Sequence, residues 1–314
     1  SIKFVPEFGV ARGIWYGVFH SISGFCNAGI DIIGSTSFME YVDSPLVSLT
    51  TMFLIVMGGL GFPVWHDIYV TAKKGAGEKR ARRRIFTRLS LQSKIVLSMT
   101  VFLILCGTAG YFLLEFNNPE TMGDLSVPDK LLASAFQSVT TRTAGFASVS
   151  QAGLTESSRL LGCILMFIGG SPAGTAGGIK TTTAAMLFLT VLCVLKGQKD
   201  TECFGRRVDM DTVRSGITIA LITFTCWLAA VAAMSVFDPQ TEFLNLMYEA
   251  SSAIGTVGLS ADLTPHLSRA SHVVLMMLMY IGRIGPLTMA LVFAGRSNKS
   301  DKFRELPEKK IMLG

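Results

Sequence analysis

The chain has 314 residues, half of them hydrophobic and only 16% charged, with a formal net charge of +6 and a mean hydropathy of +0.48. That composition excludes an ordinary soluble domain. It also leaves the basic surplus no role in nucleic-acid binding, because Lys and Arg sit in loops between long apolar runs, as membrane topology requires.

In chain order, residues 1–12 read as a loop with Pro6 and a few charges. Residues 13–30 are uncharged but too short and glycine-broken to cross a bilayer; they suit a re-entrant helix with an irregular strand after it. Residues 44–66 are 23 uncharged residues, enough for one span, and Gly58, Gly59, Gly61 and Pro63 should bend its inner end. Residues 73–94 follow, with nine Lys or Arg against one Glu. A span of 20 residues at 95–114 leads to an acidic loop at 115–129 and a short apolar segment at 131–141. Residues 160–195 are apolar except for Lys180. A straight helix of that length would be roughly 54 Å long against a hydrocarbon core of about 30 Å, so it must break. The break belongs at Gly169-Gly170-Ser171-Pro172-Ala173-Gly174-Thr175-Ala176-Gly177-Gly178, which no helix tolerates. A span at 215–237, a turn at Asp238-Pro239, a short segment at 242–254 and a span at 270–295 carrying Arg283 complete the apolar part, before a polar basic tail.

The unit of span, short segment and span therefore occurs twice in full and once without its first span. The boundaries fall at 1–72, 95–196 and 215–295 for the units, with basic linkers at 73–94 and 197–214 and a tail at 296–314. The fold class expected is an all-α membrane protein of membrane–pore-loop–membrane units around a central pore. Segments 73–94, 196–214 and 296–310 hold twenty of the 28 Lys and Arg, which assigns them to the cytoplasm. Glu115, Glu120, Asp124, Asp238 and Glu242 then face outward, where an acidic vestibule would concentrate cations. The chain opens at Ser1 without an initiator Met or signal peptide, and reads as a piece of a longer one. The six Cys lie mostly within apolar runs with no CxxC pair, so no metal site or disulfide framework is expected.

Each short segment ends in a related motif: Cys26-Asn27-Ala28-Gly29, Thr143-Ala144-Gly145-Phe146 and Thr256-Val257-Gly258-Leu259. The three glycines are 116 and 113 positions apart, the signature of an internal repeat. A glycine there lets the backbone turn its carbonyls toward a shared axis, and rings of carbonyls replace the water shell of a permeating cation. Asn27, Ala28, Gly29, Thr143, Ala144, Gly145, Thr256, Val257 and Gly258 are the candidate ion-binding filter.

These repeats resemble the Trk/Ktr/HKT superfamily of potassium transporters, whose chain carries four membrane–pore–membrane repeats, each with a filter keeping one Gly of the TVGYG signature. The motifs are similar to those of the second, third and fourth repeats, and no first repeat is present. The resemblance implies potassium as the substrate, with no cofactor and no metal beyond the permeating ion. It further implies a multi-pass protein of the cell membrane, a homodimer, and a cytosolic nucleotide-binding ring that gates the membrane subunit. Sodium-selective or potassium/sodium-coupled conduction is the near alternative, because some members carry Ser at the first-repeat filter position.

Residues 169–180 match the intramembrane loop that gates the pore in that family, through Gly169, Gly170, Ser171, Gly174, Thr175, Gly177, Gly178 and Lys180. The stretch from Gly174 to Thr181 is also similar to a phosphate-binding loop, but Ile179 stands where GxxxxGK[ST] requires Gly and no strand precedes it. Arg283, a charge within an apolar span, points to a pore or a partner; the resemblance implies an Arg that faces the pore below the filter. Arg142 is expected to tie its segment to a neighbour without touching the ion. The four His, at 20, 66, 266 and 272, share no metal spacing, and the basic run 79–84 suits either anionic lipid or a topology anchor. The rival from another class is an intramembrane hydrolase with Ser171 as nucleophile and Lys180 as the nearest base.

Overall fold

A computed structural model describes residues 1–34, 36–75, 85–198 and 200–285. The basic run 79–84, the last ten positions of the span expected at 270–295, and the tail lie outside the described residues. The first residues differ from the expected loop: α1 (Phe4–Phe8) and α2 (Val10–Phe25) form a tight corner at Gly9, whose φ is 81°. Pro6 is accommodated because it sits in the first turn, where its missing N–H has no partner to lose.

Helix α3 (Pro45–Gly59) and helix α4 (Phe62–Gly75) meet at a 95° bend. The span expected over 44–66 therefore stops at Gly59, and α4 turns away across it. The sharp corner comes from Gly61 at φ 84°, a conformation open to residues without a Cβ. After the single turn α5 (Ile85–Arg88), the long helix α6 (Leu91–Glu115) starts at Ser90, whose hydroxyl accepts the Ser93 N–H at 3.2 Å. Helix α7 (Val127–Thr140) is the second short segment, and α8 (Glu156–Phe167) with α9 (Thr181–Leu195) are the two halves of the broken span. A hairpin of β1 (Glu202–Cys203) and β2 (Arg206–Arg207) follows, turning on Phe204 and Gly205 at φ 49° and 71°. Helix α10 (Met210–Phe237), the third short segment α11 (Phe243–Gly255) and α12 (Arg269–Ile284) complete the described chain.

Among the described residues, α6 and α10 are each long and apolar enough to cross a membrane alone, and the bent pair α3–α4 passes the same test together. The chain is a multi-pass membrane protein. Within a unit, the short helix packs on its spans: α7 on α6, α11 on α10 and α12, α2 on α3. Between units, the second span packs on the next short helix, α3 on α7 and α8 on α11. That succession carries each unit around a common centre.

The outer seam of a unit is also repeated. Glu115, at the end of α6, accepts the N–H and hydroxyl of Thr155, the cap of α8, at 3.0 and 2.7 Å. Asp238, after α10, accepts the N–H and hydroxyl of Ser268, the cap of α12, both at 3.0 Å. Glu242 pairs with Arg159 at 3.3 Å. Three of the five acids expected in an open vestibule are thus engaged in joining helices, Glu115 with no exposed surface at all.

Candidate ion-conduction site

Each short helix ends the same way. The N–H groups of Ala28 and Val257 reach back to the carbonyls of Ser23 and Ser252 at 2.9 and 2.8 Å, and that of Ala144 to Thr140 at 3.0 Å. This is the closing pattern of a helix whose next residue turns left-handed. In every copy two residues are left-handed, two positions apart: Asn27 and Gly29 (φ 51° and 64°), Thr143 and Gly145 (71° and 88°), Thr256 and Gly258 (52° and 94°). The glycines were legible in the sequence as turning points. Asn27, Thr143 and Thr256 were not, and for a residue with a Cβ the conformation costs roughly 1–2 kcal/mol. Threonine, branched at Cβ, is a poor choice for such backbone unless the surroundings impose it, and strain of this kind gathers at functional sites.

The three strands stand side by side. A Cβ on Gly29 would lie 2.2 Å from the Ala144 carbonyl oxygen, and one on Gly145 would lie 2.3 Å from that of Val257. Asn27 holds the first pair together, its amide lying between the Arg142 carbonyl and Thr143 hydroxyl on one side and the carbonyls of Gly24 and Ile55 on the other. Among the described residues, no hydrogen bond ends on the carbonyl oxygens of residues 27–29, 143–145 or 256–258. Backbone acceptors at membrane depth stay unpaired only where they face a cavity or a ligand. On the remaining side, between Ala28 and Thr256–Gly258, the ring opens into a cleft of about 690 Å³ that Arg283 also lines. Arg142 is buried behind the second strand, with Nη2 3.5 Å from the Thr100 hydroxyl of α6. It contacts the neighbouring span.

Directly beneath lies the loop between α8 and α9. Its ends run in parallel, bridged by Gly169 N–H to the Ile179 carbonyl at 2.9 Å and by Thr181 N–H to that of Gly170 at 2.9 Å. Its body is tied to the corner of α3 and α4. The N–H groups of Ser171 and Thr175 donate to the carbonyls of Gly59 and Gly58 at 2.9 and 3.3 Å, and the Phe62 N–H donates to Ala173 at 3.3 Å. Each broken helix thus satisfies groups that the other break set free. The Thr175 hydroxyl reaches the Phe25 carbonyl at the end of α2, at 3.2 Å. A Cβ on Gly177 would fall 2.0 Å from the Thr256 hydroxyl, so the loop touches the third strand.

Two cations cap adjacent loop carbonyls. Arg283 Nη1 donates to Thr175 at 2.6 Å, and Lys180 Nζ donates to Ala176 at 2.7 Å. Arg283 stands in the last turn of α12, ahead of Gly285 at φ 93°. Ser171 is fully buried with its hydroxyl 3.0 Å from that of Thr181, and Lys180 is turned to Ala176 instead. The nucleophile–base pair of a hydrolase is not assembled. The structure therefore brings together all three strands, the loop and Arg283. Sequence reasoning missed Gly58, Gly59 and Gly61 as partners of the loop; the available signal was a second glycine-rich break at the same place in another unit.

The TrkH family, described as cation transport proteins, matches residues 5–304. The chain belongs to that family. It is 36% identical over 319 residues to the potassium/sodium uptake protein NtpJ of Enterococcus hirae, covering all of this chain and 67% of that protein. It is 35% identical to the Ktr system potassium uptake protein B of Bacillus subtilis and 38% to that of Vibrio alginolyticus, covering all of this chain and 67% and 66% of theirs. This TrkH-family chain thus spans about two thirds of the length of those relatives. The crystal structure of the potassium transporter TrkH from Vibrio parahaemolyticus shares the fold, with a TM-score of 0.68 at 16% identity over 93% of this chain and 67% of that one.

Proposed function

We propose that this chain is the ion-conducting part of a potassium uptake system, with residues 27–29, 143–145 and 256–258 as three strands of a carbonyl filter. The observation that carries the reading is the pair of left-handed residues in each strand, three times over, with free carbonyls between adjacent strands. Dehydrated potassium is matched by such a set of carbonyl dipoles. The relatives named as potassium uptake proteins support the choice of ion. A fourth strand fills the side that opens between Ala28 and Gly258. The loop 169–180 is the gate, closed while Arg283 and Lys180 hold its carbonyls. No cofactor is required. The working protein is a homodimer in the bilayer with a cytosolic nucleotide-binding ring, and the basic linkers lie on the ring's side.

Sodium entry is the second reading, favoured by the relative named for both ions. Replacing Gly29, Gly145 or Gly258 by Ser, with potassium and sodium uptake measured in cells lacking other systems, tests the filter. At Gly29 and Gly145 the added Cβ meets a carbonyl oxygen of the adjacent strand, so the potassium-to-sodium ratio should collapse. An unchanged ratio in all three variants removes the filter assignment. A wild-type ratio near unity favours the sodium reading.

A further inference from the structure

The filter strands are short, and their carbonyls keep one direction only while both ends are fixed. The inner end is fixed by the closing bonds of each short helix. The outer end is held by a side chain from the same helix, at an equivalent position in two of the three units. Nine residues before the filter glycines Gly29 and Gly258 stand His20 and Glu249; three residues after them stand Ile32 and Ala261. The Ile32 N–H donates to His20 Nε2 at 3.3 Å, and the Ala261 N–H donates to Glu249 Oε1 at 3.0 Å. Glu249 also accepts from the hydroxyls of Ser260 at 2.7 Å and Thr264 at 2.6 Å. In the middle unit Phe136 holds the equivalent position, and one residue along Gln137 exchanges side-chain bonds with Gln151, donating at 2.7 Å and accepting at 3.2 Å. Two units, two acceptor chemistries and one task argue for a requirement of the filter itself.

His20 differs from Glu249 and Gln137 because imidazole is the side chain whose ordinary titration range lies near neutral pH. Its Nδ1 lies 2.6 Å from the Tyr16 carbonyl, an acceptor only, so that nitrogen carries the proton. Nε2 is then the lone-pair nitrogen that receives the Ile32 N–H. A second proton would set two hydrogens face to face and end the clamp. The ring is 5% exposed, with the rings of Phe4, Tyr16, Phe38 and Phe146 around it. The charged group whose field reaches it is the Asp31 carboxylate. Lys3, at the cap of α1, pairs with Glu7 at 3.5 Å, and Glu7 also receives the Tyr41 hydroxyl. α3 presents no titratable group, only Leu46, Val47, Thr50, Thr51 and Leu54, along a cavity of about 210 Å³ that reaches the ring.

We propose that His20 and Glu249 are positioning residues that set the ion preference of the filter, and that a second proton on His20 releases the strand at Gly29 and relaxes that preference. This rests on the filter reading above.

The test is the potassium-to-sodium uptake ratio of the whole protein in cells lacking other systems, followed from about pH 8 to about pH 5 outside, across the ordinary imidazole range. The wild-type ratio should fall about fivefold toward acid, the factor that one net hydrogen bond sustains. His20→Leu should show the low ratio at every pH. His20→Gln, which keeps an acceptor but does not titrate, should recover most of the ratio and lose the pH dependence. Glu249→Leu should lower the ratio, and Glu249→Gln should lower it less. A wild-type ratio independent of pH, or a His20→Leu ratio equal to wild type, overturns the proposal. If His20→Leu fails to reach the membrane, the pH profile of His20→Gln decides. Gly29→Ser runs alongside: a collapsed ratio there with unaffected His20 variants sinks the clamp alone, and an unaffected ratio in Gly29→Ser sinks the filter reading with it.

Discussion

Two corners of this protein are built from one pattern and used for opposite purposes. Gly58-Gly59-Leu60-Gly61 ends α3, and Gly282-Arg283-Ile284-Gly285 ends α12. In both, the first glycine presses on the end of its own unit's short helix: an added Cβ would lie 1.8 Å from the Phe25 carbonyl oxygen in one and 2.0 Å from that of Ile254 in the other. In both, the fourth residue is a left-handed glycine, at φ 84° and 93°. The difference is the second residue. Gly59 offers its backbone carbonyl to Ser171, whereas Arg283 sends a guanidinium to the carbonyl of Thr175. The first corner thus meets the loop through backbone groups, two carbonyls and the Phe62 N–H, and the second through a cationic side chain. The two corners share their glycine positions and differ in the group they turn toward the loop.

The largest effect should come from breaking what the corners share. Gly58→Ala and Gly282→Ala each force a Cβ into a backbone oxygen, and about 3 kcal/mol of stability should be lost, as for severe overpacking. Gly59→Ala meets nothing nearer than the Asn27 amide nitrogen at 3.5 Å, so it should stay within about 0.5 kcal/mol. Thermal unfolding in detergent separates the three, and equal losses at positions 58 and 59 would refute the contact argument.

Next in size is the effect of what differs between the corners. Arg283→Ala removes a charge-assisted bond to the loop and should raise flux on the order of tenfold, with the ion ratio unchanged. Deleting residues 174–177 should raise flux as well. Both changes together should gain less than their product, because they remove one barrier. Reduced flux at normal membrane level, or independent gains, would count against a shared gate.

The smallest effect belongs to the outer seams. The Ser271 hydroxyl, and then Ser268, hold the Asp238 carboxyl below its ordinary value. A carboxyl whose pKa is lower folded than unfolded adds stability above the unfolded pKa, near 3.8, and loses it as pH falls through the folded one. Asp238→Asn should thus be less stable than wild type near neutrality and converge with it in acid. A constant gap between the two melting curves down to strong acid would contradict this.

The sequence disclosed the repeated short helices and the left-handed glycines at 29, 145 and 258 because both depend on features that repeat: apolar length, and a residue without a Cβ at a turning point. It also exposed the break after Phe167, since ten residues with five glycines cannot continue a helix. It concealed whatever is decided by a neighbour. Thr143 and Thr256 are left-handed against the preference of a β-branched residue, so nothing local announces the conformation. The 95° turn at Leu60 needs the loop to receive its freed groups, and nothing local names that partner. Glu115 and Asp238 read as surface acids until the caps of α8 and α12 arrive from 40 and 30 positions away. The hairpin at 202–207 went unread because two-residue strands are too short to show alternation; Phe204-Gly205 was its only mark.

The mutual satisfaction of the two breaks also orders the protein's biogenesis. Residues 58–61 leave the ribosome long before residues 171–175 exist, and the Thr175 hydroxyl finds Phe25 across 150 positions of chain. Until then, a bent α3 would present bare carbonyls to lipid, a penalty of several kcal/mol each. The nascent segment is better served by staying straight, or by waiting beside water in the insertion machinery. The corner at Gly61 is therefore a late event, completed when the next unit folds against it. Nascent chains halted before residue 171 should carry that segment in a conformation unlike the finished one.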